Sequence, residues 1–304
     1  MKKKTLLQSS GFVTLFASLV CIAIGLLFGF LVLLLLGGDK AYSDGFKQIL
    51  LGGFYMMPSG IGKEIVTAAP LIMCGLSVAF AFKTGLFNIG AAGQYTLGAF
   101  GALYCAIVLQ WPWYLCLLLA IAAGAFLGAI SGALRTYCNV NVVISGIMLN
   151  WIALYLTNLI LTTVKHPNSP YTKSLTAANP SALIPSLGLS KLFAGEKTVT
   201  IAIPLAILMA VLVWVILNKT KFGYELKATG FNFNAAKYCG MKENRNVILT
   251  MVIAGGLAGM GAGLYYLTGI EDWETTISSV PKCAASSRRS FSLASGKLAP
   301  PPAP

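Results

Sequence analysis

Charged residues are scarce in this sequence. They make up 10% of the 304 residues, and nine are Asp or Glu, whereas a soluble domain carries about 25% charged residues. Apolar residues make up 57% and occur in long blocks, such as residues 15–36, which contain no charge. At ~1.5 Å per residue, such a block can cross a hydrocarbon core of ~30 Å. The composition therefore excludes a soluble globular domain and predicts an integral membrane protein.

Residues that bind metals or carry out catalysis are also few. His166 is the only histidine and lies in a polar loop, and the seven cysteines are scattered without a CxxC pair. The sequence contains neither the nucleotide-binding motif GxxxxGK[ST] nor a nucleophile–base–acid set. We therefore expect no metal site, no disulfide framework, no cofactor and no enzymatic activity. The net charge of +13 is assigned to loops that set membrane orientation, not to nucleic-acid binding.

The hydrophobic runs predict an all-α polytopic membrane bundle with seven spans. Their approximate bounds are 11–36, 65–82, 86–109, 113–134, 142–163, 200–217 and 246–268. A cytoplasmic N-terminus is favoured because Lys2, Lys3 and Lys4 then share one side with the basic 218–245 loop. The sequence thus predicts a multi-pass protein of the cytoplasmic membrane, embedded in the lipid bilayer.

The predicted spans contain no Asp, Glu, Lys, Arg or His. Proton-coupled carriers usually keep one in the membrane as a relay, so proton coupling is disfavoured. The polar residues within the spans are neutral and include Asn88, Gln94, Thr96, Ser131, Ser145, Asn150, Thr157 and Asn158. A path lined in this way suits a neutral polar solute moved by an energy source outside the chain. Sodium coupling through carbonyl and hydroxyl groups remains an alternative.

Glycine recurs at a four-residue spacing in two of the spans. The two GxxxGxxxG series are Gly124, Gly128 and Gly132, and Gly255, Gly259 and Gly263. Residues four apart share a helix face, and glycine lets a second backbone come close. The pattern favours tight packing within the bundle, with ordinary glycine enrichment of membrane helices as the alternative.

Residues 218–245 form the largest predicted cytoplasmic loop. Within it, Asn232 or Asn234 can cap a short helix that ends at Gly240. Such a helix can fit a groove on a partner protein. From the local pattern alone, a solvated basic loop is equally compatible.

Three stretches resemble signature regions of ABC-transporter permeases of the sugar, branched-chain amino acid and nucleoside importer class. They are GLFNIGAAGQYTLGA, ISGIMLNWIALYL and FGYELKATGFNFNAAKYCGM, within about residues 60–270. The match is best to the nucleoside-uptake branch. The resemblance implies a permease subunit that performs no chemistry itself. It also implies three partners: an ABC ATPase subunit, a second identical or homologous permease subunit, and an extracytoplasmic substrate-binding lipoprotein or periplasmic protein.

The resemblance also names candidate residues. The segment matching FNIG-x-x-GQ and the MLN run place Phe87, Asn88, Gln94 and Asn150 as candidates for the substrate path. The third stretch matches the loop that couples the permease to its ATPase. Its matching residues are Gly223, Leu226, Ala228, Gly230, Asn232, Ala235, Ala236 and Gly240.

The chain departs from the family pattern at several positions. Ala92 and Val142 stand where many relatives carry Glu, and Phe231 and Phe233 stand where Glu and Pro are common. The roles of those acidic groups therefore do not transfer. Three alternatives stay open: a permease for ribose-like sugars or branched-chain amino acids, a sodium-coupled carrier or channel without an ATPase, and a membrane scaffold without transport.

The sequence after residue 268 does not follow the family. We expect 1–268 to be the permease domain, and 269–304, which ends in PPPAP, to be a disordered tail in place of the family's further spans. We hypothesise a frameshift near Val280 to Cys283, with a divergent C-terminus as the alternative. The other reading frames of the coding DNA would distinguish the two.

Overall fold

A computed structural model describes residues 10–37, 45–54, 57–167, 169–193, 195–196 and 198–275. The chain divides into two units, Met1–Ile61 and Gly62–Pro304. Most of the expected tail, including the hypothesised frameshift position, lies outside the described residues.

The first unit contains α1 (Ser10–Gly37), α2 (Lys47–Leu51) and a 3-10 turn at Gly52–Phe54. The window Phe16–Leu35 contains no charged residue, and none of its residues is buried. A helix satisfies its own backbone hydrogen bonds, so an apolar helix of this kind is stable in contact with lipid. The unit therefore supplies one membrane span.

The second unit is a helical bundle with short connections. Its helices are α3 (Ser59–Lys83), α4 (Ala91–Ile107), α5 (Trp113–Cys138), α6 (Val142–Leu161), α7 (Leu175–Ala178), α8 (Leu189–Leu192), α9 (Ala202–Lys219), α10 (Lys221–Phe231), α11 (Phe233–Tyr238) and α12 (Glu243–Tyr266). Counting both units, six helices of the described chain are long and apolar enough to cross a membrane, namely α1, α3, α5, α6, α9 and α12. The prediction of an all-α polytopic membrane bundle is confirmed.

The segment predicted as the third span, 86–109, differs from the expectation. Its helix, α4, has 17 residues, which corresponds to about 25 Å and is shorter than a hydrocarbon core of ~30 Å. Residues 86–88 have no regular structure, and the helix begins at Ala91. Six helices therefore have spanning length instead of the seven predicted. Almost all residues of α4 are buried, so the short helix is surrounded by other parts of the protein and not by lipid.

Helices α3, α5 and α12 extend past their predicted bounds and carry charge near their ends. Lys63 and Glu64 lie near the start of α3, Arg135 lies near the end of α5, and Glu243 and Arg245 lie in the first turn of α12. Charge near a helix end can reach the polar interface, whereas charge at the centre is costly. The central parts of these helices keep the neutral character that the sequence predicts.

The two glycine series meet along the contact between α5 and α12. A Cβ built on Gly128 would lie 2.9 Å from the carbonyl carbon of Met251. One built on Gly255 would lie 3.0 Å from the carbonyl carbon of Gly124. Any side chain at these positions would therefore meet the backbone of the other helix, which cannot move aside. Gly98 approaches Gly259 in the same way, so α4, α5 and α12 form a closely packed centre.

The second unit has two chemically different ends. One end, which we call the basic end, brings Gly230 of α10 against Thr84 and ties Asn246 to Thr229 by a hydrogen bond of 3.0 Å. Its described charged residues are Lys83, Arg135, Lys219, Lys221, Glu225, Lys227, Lys237, Lys242, Glu243 and Arg245. Those of the opposite end are Lys63, Glu64, Lys165, Lys173, Lys191, Glu196, Glu271, Asp272 and Glu274. Positive charge therefore predominates at the basic end only.

At the opposite end, the connection between α6 and α9 packs onto the ends of the helices. The Asn179 amide nitrogen donates to the carbonyl oxygens of Ala106 at 3.0 Å and Trp111 at 3.1 Å. The buried indole nitrogen of Trp273 donates to Asn158 Oδ1 at 2.8 Å. Residues 269–275, which we assigned to the tail, are therefore packed against the bundle.

Candidate functional site

The turn between α3 and α4 requires a glycine at position 85. Gly85 has a φ of +74°, a conformation that favours glycine. A Cβ at Gly85 would also lie 2.9 Å from the carbonyl oxygen of Gly230 in α10. Helix α3 therefore ends where α10 packs, and the following residues return into the bundle without helical structure until α4 begins.

Two amide side chains within this turn bond to each other. Asn88 Nδ2 donates to Gln94 Oε1 at 2.8 Å, and Gln94 Nε2 donates to Asn88 Oδ1 at 3.3 Å. Asn88 Nδ2 also lies 3.3 Å from its acceptor Ser77 Oγ in α3. Asn88 is 2% exposed and Gln94 1% exposed. Each amide satisfies the other in a place where an unpaired polar group would be costly.

Asn150 of α6 caps the first turn of α4. The backbone N–H of Gly93 donates to Asn150 Oδ1 at 2.7 Å, and Asn150 Nδ2 donates to the carbonyl oxygen of Ile89 at 3.1 Å. The N-cap residue of α4, Gly90, makes no side-chain cap of its own. Asn150 thus satisfies a donor that helix geometry leaves unpaired. A Cβ on Gly93 would lie 2.8 Å from Asn150 Cα, so glycine is what lets α6 come this close.

The structure brings three of the four predicted path residues together. Asn88 and Gln94 bond to each other, and Asn150 bonds to Gly93 and Ile89, which lie between them in the sequence. Phe87 instead is 52% exposed, and its ring lies edge to face against Phe82 with centroids 6.5 Å apart. The amide pair is buried in this arrangement, whereas Phe87 is accessible at the surface of the bundle.

We expect Asn150→Leu to destabilise the second unit. The substitution leaves the Gly93 N–H and the Ile89 carbonyl without partners, at a cost of about 1–3 kcal/mol for each group. The melting temperature of the detergent-solubilised chain should fall by several degrees. Asn234→Leu is the matched control, because Asn234 is exposed in α11. Equal melting temperatures for the two variants would contradict the capping role.

The 218–245 segment is helical over most of its length, not a loop. Thr220 caps α10 through its hydroxyl, which accepts from the Gly223 N–H at 3.0 Å. Asn232 caps α11 by accepting from the Ala235 N–H at 3.0 Å, and Gly240 follows with a φ of +75°. The short helix predicted from Asn232 to Gly240 is therefore present, and the sequence reasoning missed α10.

The predicted coupling residues divide between two faces of this segment. Gly223 packs against the backbone of α9 and Gly230 against Thr84, while Leu226 and Ala236 are buried. These residues fix α10 and α11 to the basic end of the bundle. Ala228 is partly buried, and Asn232, Ala235 and Gly240 are exposed.

The exposed face of the segment is rich in aromatic side chains. Phe231 is 97% exposed, Tyr238 is 92% exposed and Phe233 is 45% exposed. Exposed aromatic residues are typical of protein–protein contact surfaces, where Tyr, Trp and Phe are enriched. We call Phe231, Phe233 and Tyr238, together with the exposed Ala235 between them, the aromatic face. Motif comparison had marked Phe231 and Phe233 only as departures from the family.

Within the residues that the structure describes, no three His, Cys, Asp or Glu side chains come together in a way that could hold a metal ion. The polar groups of the α3–α4 turn are amides and a hydroxyl. Such groups can hydrogen-bond a neutral polar solute as donors and acceptors.

Comparisons with known proteins place the chain among transport proteins. The sequence profile of the family described as "Branched-chain amino acid transport system / permease component" matches residues 60–280. The guanosine ABC transporter permease protein NupP of Bacillus subtilis is 36% identical over 254 residues, which are 82% of this chain and 71% of that protein. The nucleoside ABC transporter permease protein NupB of Lactococcus lactis is 33% identical over 260 residues, 81% of this chain and 69% of that protein.

A third relative has a different named solute. The glucose ABC transporter permease protein TsgB13 of Haloferax volcanii is 31% identical over 232 residues, 73% of this chain and 59% of that protein. No solved structure matches the chain significantly.

Proposed function

Because this chain belongs to the family described as the branched-chain amino acid transport system permease component, we propose that it is the membrane subunit of an ATP-driven importer of nucleosides. Members of this family are transport components, and ATP is hydrolysed by a separate subunit. The observation that carries the choice of solute is the similarity, over more than four fifths of the chain, to permeases named for guanosine and for nucleosides. The neutral amides of the α3–α4 turn are consistent with an uncharged solute.

We further propose that the basic end and the N-terminus are both cytoplasmic. Membrane proteins keep Lys and Arg in their cytoplasmic loops, and positive charge predominates at this end of the bundle. The ATPase subunit would then contact α10 and α11, and the substrate-binding lipoprotein or periplasmic protein would deliver solute to the opposite end. A second permease subunit, identical or homologous, completes the path.

The contacts suggest how the ATPase subunit could act on the path. The backbone of α10 at Gly230 lies against Thr84 and Gly85, and the path candidates begin two residues later, at Phe87. Asn150 connects the same turn to α6. A movement of α10 driven by ATP binding would therefore reach the α3–α4 turn and α6 through packed backbone, the kind of contiguous route that can carry coupling. In this scheme Phe87, Asn88, Gln94 and Asn150 border the path.

Uptake of radiolabelled nucleosides tests the proposal. Cells that express the chain with its ATPase, its second permease subunit and its substrate-binding protein should accumulate guanosine or uridine, and the same cells without the ATPase should not. Excess unlabelled glucose or leucine should leave the uptake unchanged. Uptake that persists without the ATPase would contradict an ATP-driven importer and favour a sodium-coupled carrier or channel.

A sugar importer is the second candidate, favoured by the 31% identity to the glucose permease. The same assay separates the two. ATPase-dependent uptake of labelled ribose or glucose, with no uptake of nucleosides, would assign the chain to sugar transport.

A further inference from the structure

A cleft of about 710 Å³ opens at the basic end, between the first turns of α10 and α12. Lys221 and Tyr224 line it from α10, and Lys242 and Arg245 line it from the start of α12. The buried side chain of Asn246 also faces this cleft, with its amide nitrogen donating to Thr229 Oγ1 at 3.0 Å. The cleft is therefore lined by α10, by the start of α12 and by the residues between α11 and α12.

The cations of this cleft have no partners among the described residues. The ion pairs among the described residues are Lys63 with Glu196 and Lys237 with Glu243, and neither involves the cleft cations. The lining contains a single carboxylate, Glu225. Lys221, Lys242 and Arg245 thus leave an excess of positive charge in the cleft, which the starts of α10 and α12 increase through their helix dipoles.

The position of the cleft along α9 places it near the membrane boundary. Lys221 follows the last residue of α9, Lys219, by two positions, and the Lys219 ammonium lies 5.8 Å from the centroid of the Trp214 ring. Tryptophan and lysine at the end of a membrane helix are typical of the interface with lipid headgroups. The ring of Tyr224, which is 68% exposed, lines the same cleft.

We propose that this cleft binds a phosphoryl anion, with the headgroup of an acidic phospholipid as its source. Arginine and lysine together suit phosphate oxygens, because the guanidinium donates two parallel hydrogen bonds and the ammonium adds a point charge. Basic pockets at the cytoplasmic ends of membrane helices are suited to acidic headgroups. The site involves neither the transported solute nor the amides of the α3–α4 turn, so its test does not depend on the transport function.

Native mass spectrometry of the full chain in a neutral detergent tests the site, with phosphatidylglycerol and phosphatidylcholine as probes. The wild-type chain should retain phosphatidylglycerol in preference to phosphatidylcholine. The triple variant K221Q/K242Q/R245Q should bind phosphatidylglycerol about ten-fold or more weakly, because each lost charge near the headgroup weakens the attraction. The matched control K165Q/K173Q/K191Q removes equal charge at the opposite end and should bind like wild type.

A second arm identifies the source of the phosphoryl group, with inorganic phosphate and glycerol 3-phosphate as soluble probes. Lipid that stays bound at millimolar concentrations of both identifies the headgroup as the ligand. Binding of the soluble probes without a preference for phosphatidylglycerol, again lost in the triple variant, identifies a free phosphorylated solute in the same site.

Two results would overturn the proposal. One is equal binding of every probe by the triple variant, the control and the wild type. The other is a triple variant that keeps its lipid but no longer co-purifies with the ATPase subunit, which would assign the cleft to protein docking. Arg245→Gln alone repeats the measurement if the triple variant does not fold.

Discussion

Gly128→Val will prevent α5 and α12 from packing, and we expect it to abolish the folded protein. The nearest atoms to a new Cβ at Gly128 belong to the Met251 backbone, with the carbonyl carbon at 2.9 Å. A backbone cannot adopt another rotamer, so the helices must separate along the whole seam. Overpacking within a core typically costs about 1–3 kcal/mol, and we expect this variant to lie at or above the upper value. Gly255→Val should behave alike, because its Cβ meets Gly124.

Fluorescence size-exclusion chromatography of a tagged chain measures the folded fraction directly. Gly75→Val is the matched control, because Gly75 lies within α3 and a Cβ there would meet nothing within 4 Å. The control should give a monodisperse peak at near wild-type height, whereas Gly128→Val should give mainly aggregate. A monodisperse Gly128→Val peak that melts like wild type would show that the α5–α12 contact is not as close as the glycines indicate.

Much of this fold follows from the sequence because a chain in lipid must be apolar and must satisfy its own backbone hydrogen bonds. A long uncharged run has few alternatives to a spanning helix, so α1, α3, α5, α6, α9 and α12 were identifiable from composition. The four-residue glycine spacing likewise identified which faces of α5 and α12 could approach another backbone. It could not identify the partner, because spacing on one helix does not specify which other helix it meets.

The candidate site was less accessible to sequence reasoning, for physical reasons. The run 86–109 is apolar enough to resemble a full span, and hydropathy does not reveal that its helix has only 17 residues or that Asn88 and Gln94 bond to each other. The bonds of Asn150 to Gly93 and Ile89 join residues about sixty positions apart. Local pattern carries no information about such a contact. Helix α10 was missed because it follows a span directly and mixes charged with apolar residues, a pattern that is equally typical of a loop.

Introducing charge on the aromatic face will uncouple the transporter from its ATPase. We expect the double variant F231D/Y238D to lower ATPase-dependent nucleoside uptake more than ten-fold. Buried aromatic contacts at the centre of an interface are each worth about 2 kcal/mol or more, and a desolvated carboxylate adds a further cost. Both side chains are more than 90% exposed, so the fold of the bundle does not depend on them. Ala235→Arg, which adds a long cation to the exposed face of α11, should act in the same direction.

The choice of residues separates docking from folding. A substitution at Gly230 would not separate docking from folding. A Cβ there would lie 2.5 Å from the carbonyl carbon of Thr84 and would disturb the α3–α4 turn itself. Leu187→Asp is the control for co-purification of the ATPase, since Leu187 is 78% exposed at the opposite end of the bundle, away from the proposed ATPase contact. Co-purification of the ATPase subunit should be lost with F231D/Y238D while the amount of permease in the membrane stays constant. Normal uptake and normal co-purification in the double variant would place the ATPase contact elsewhere on the basic end.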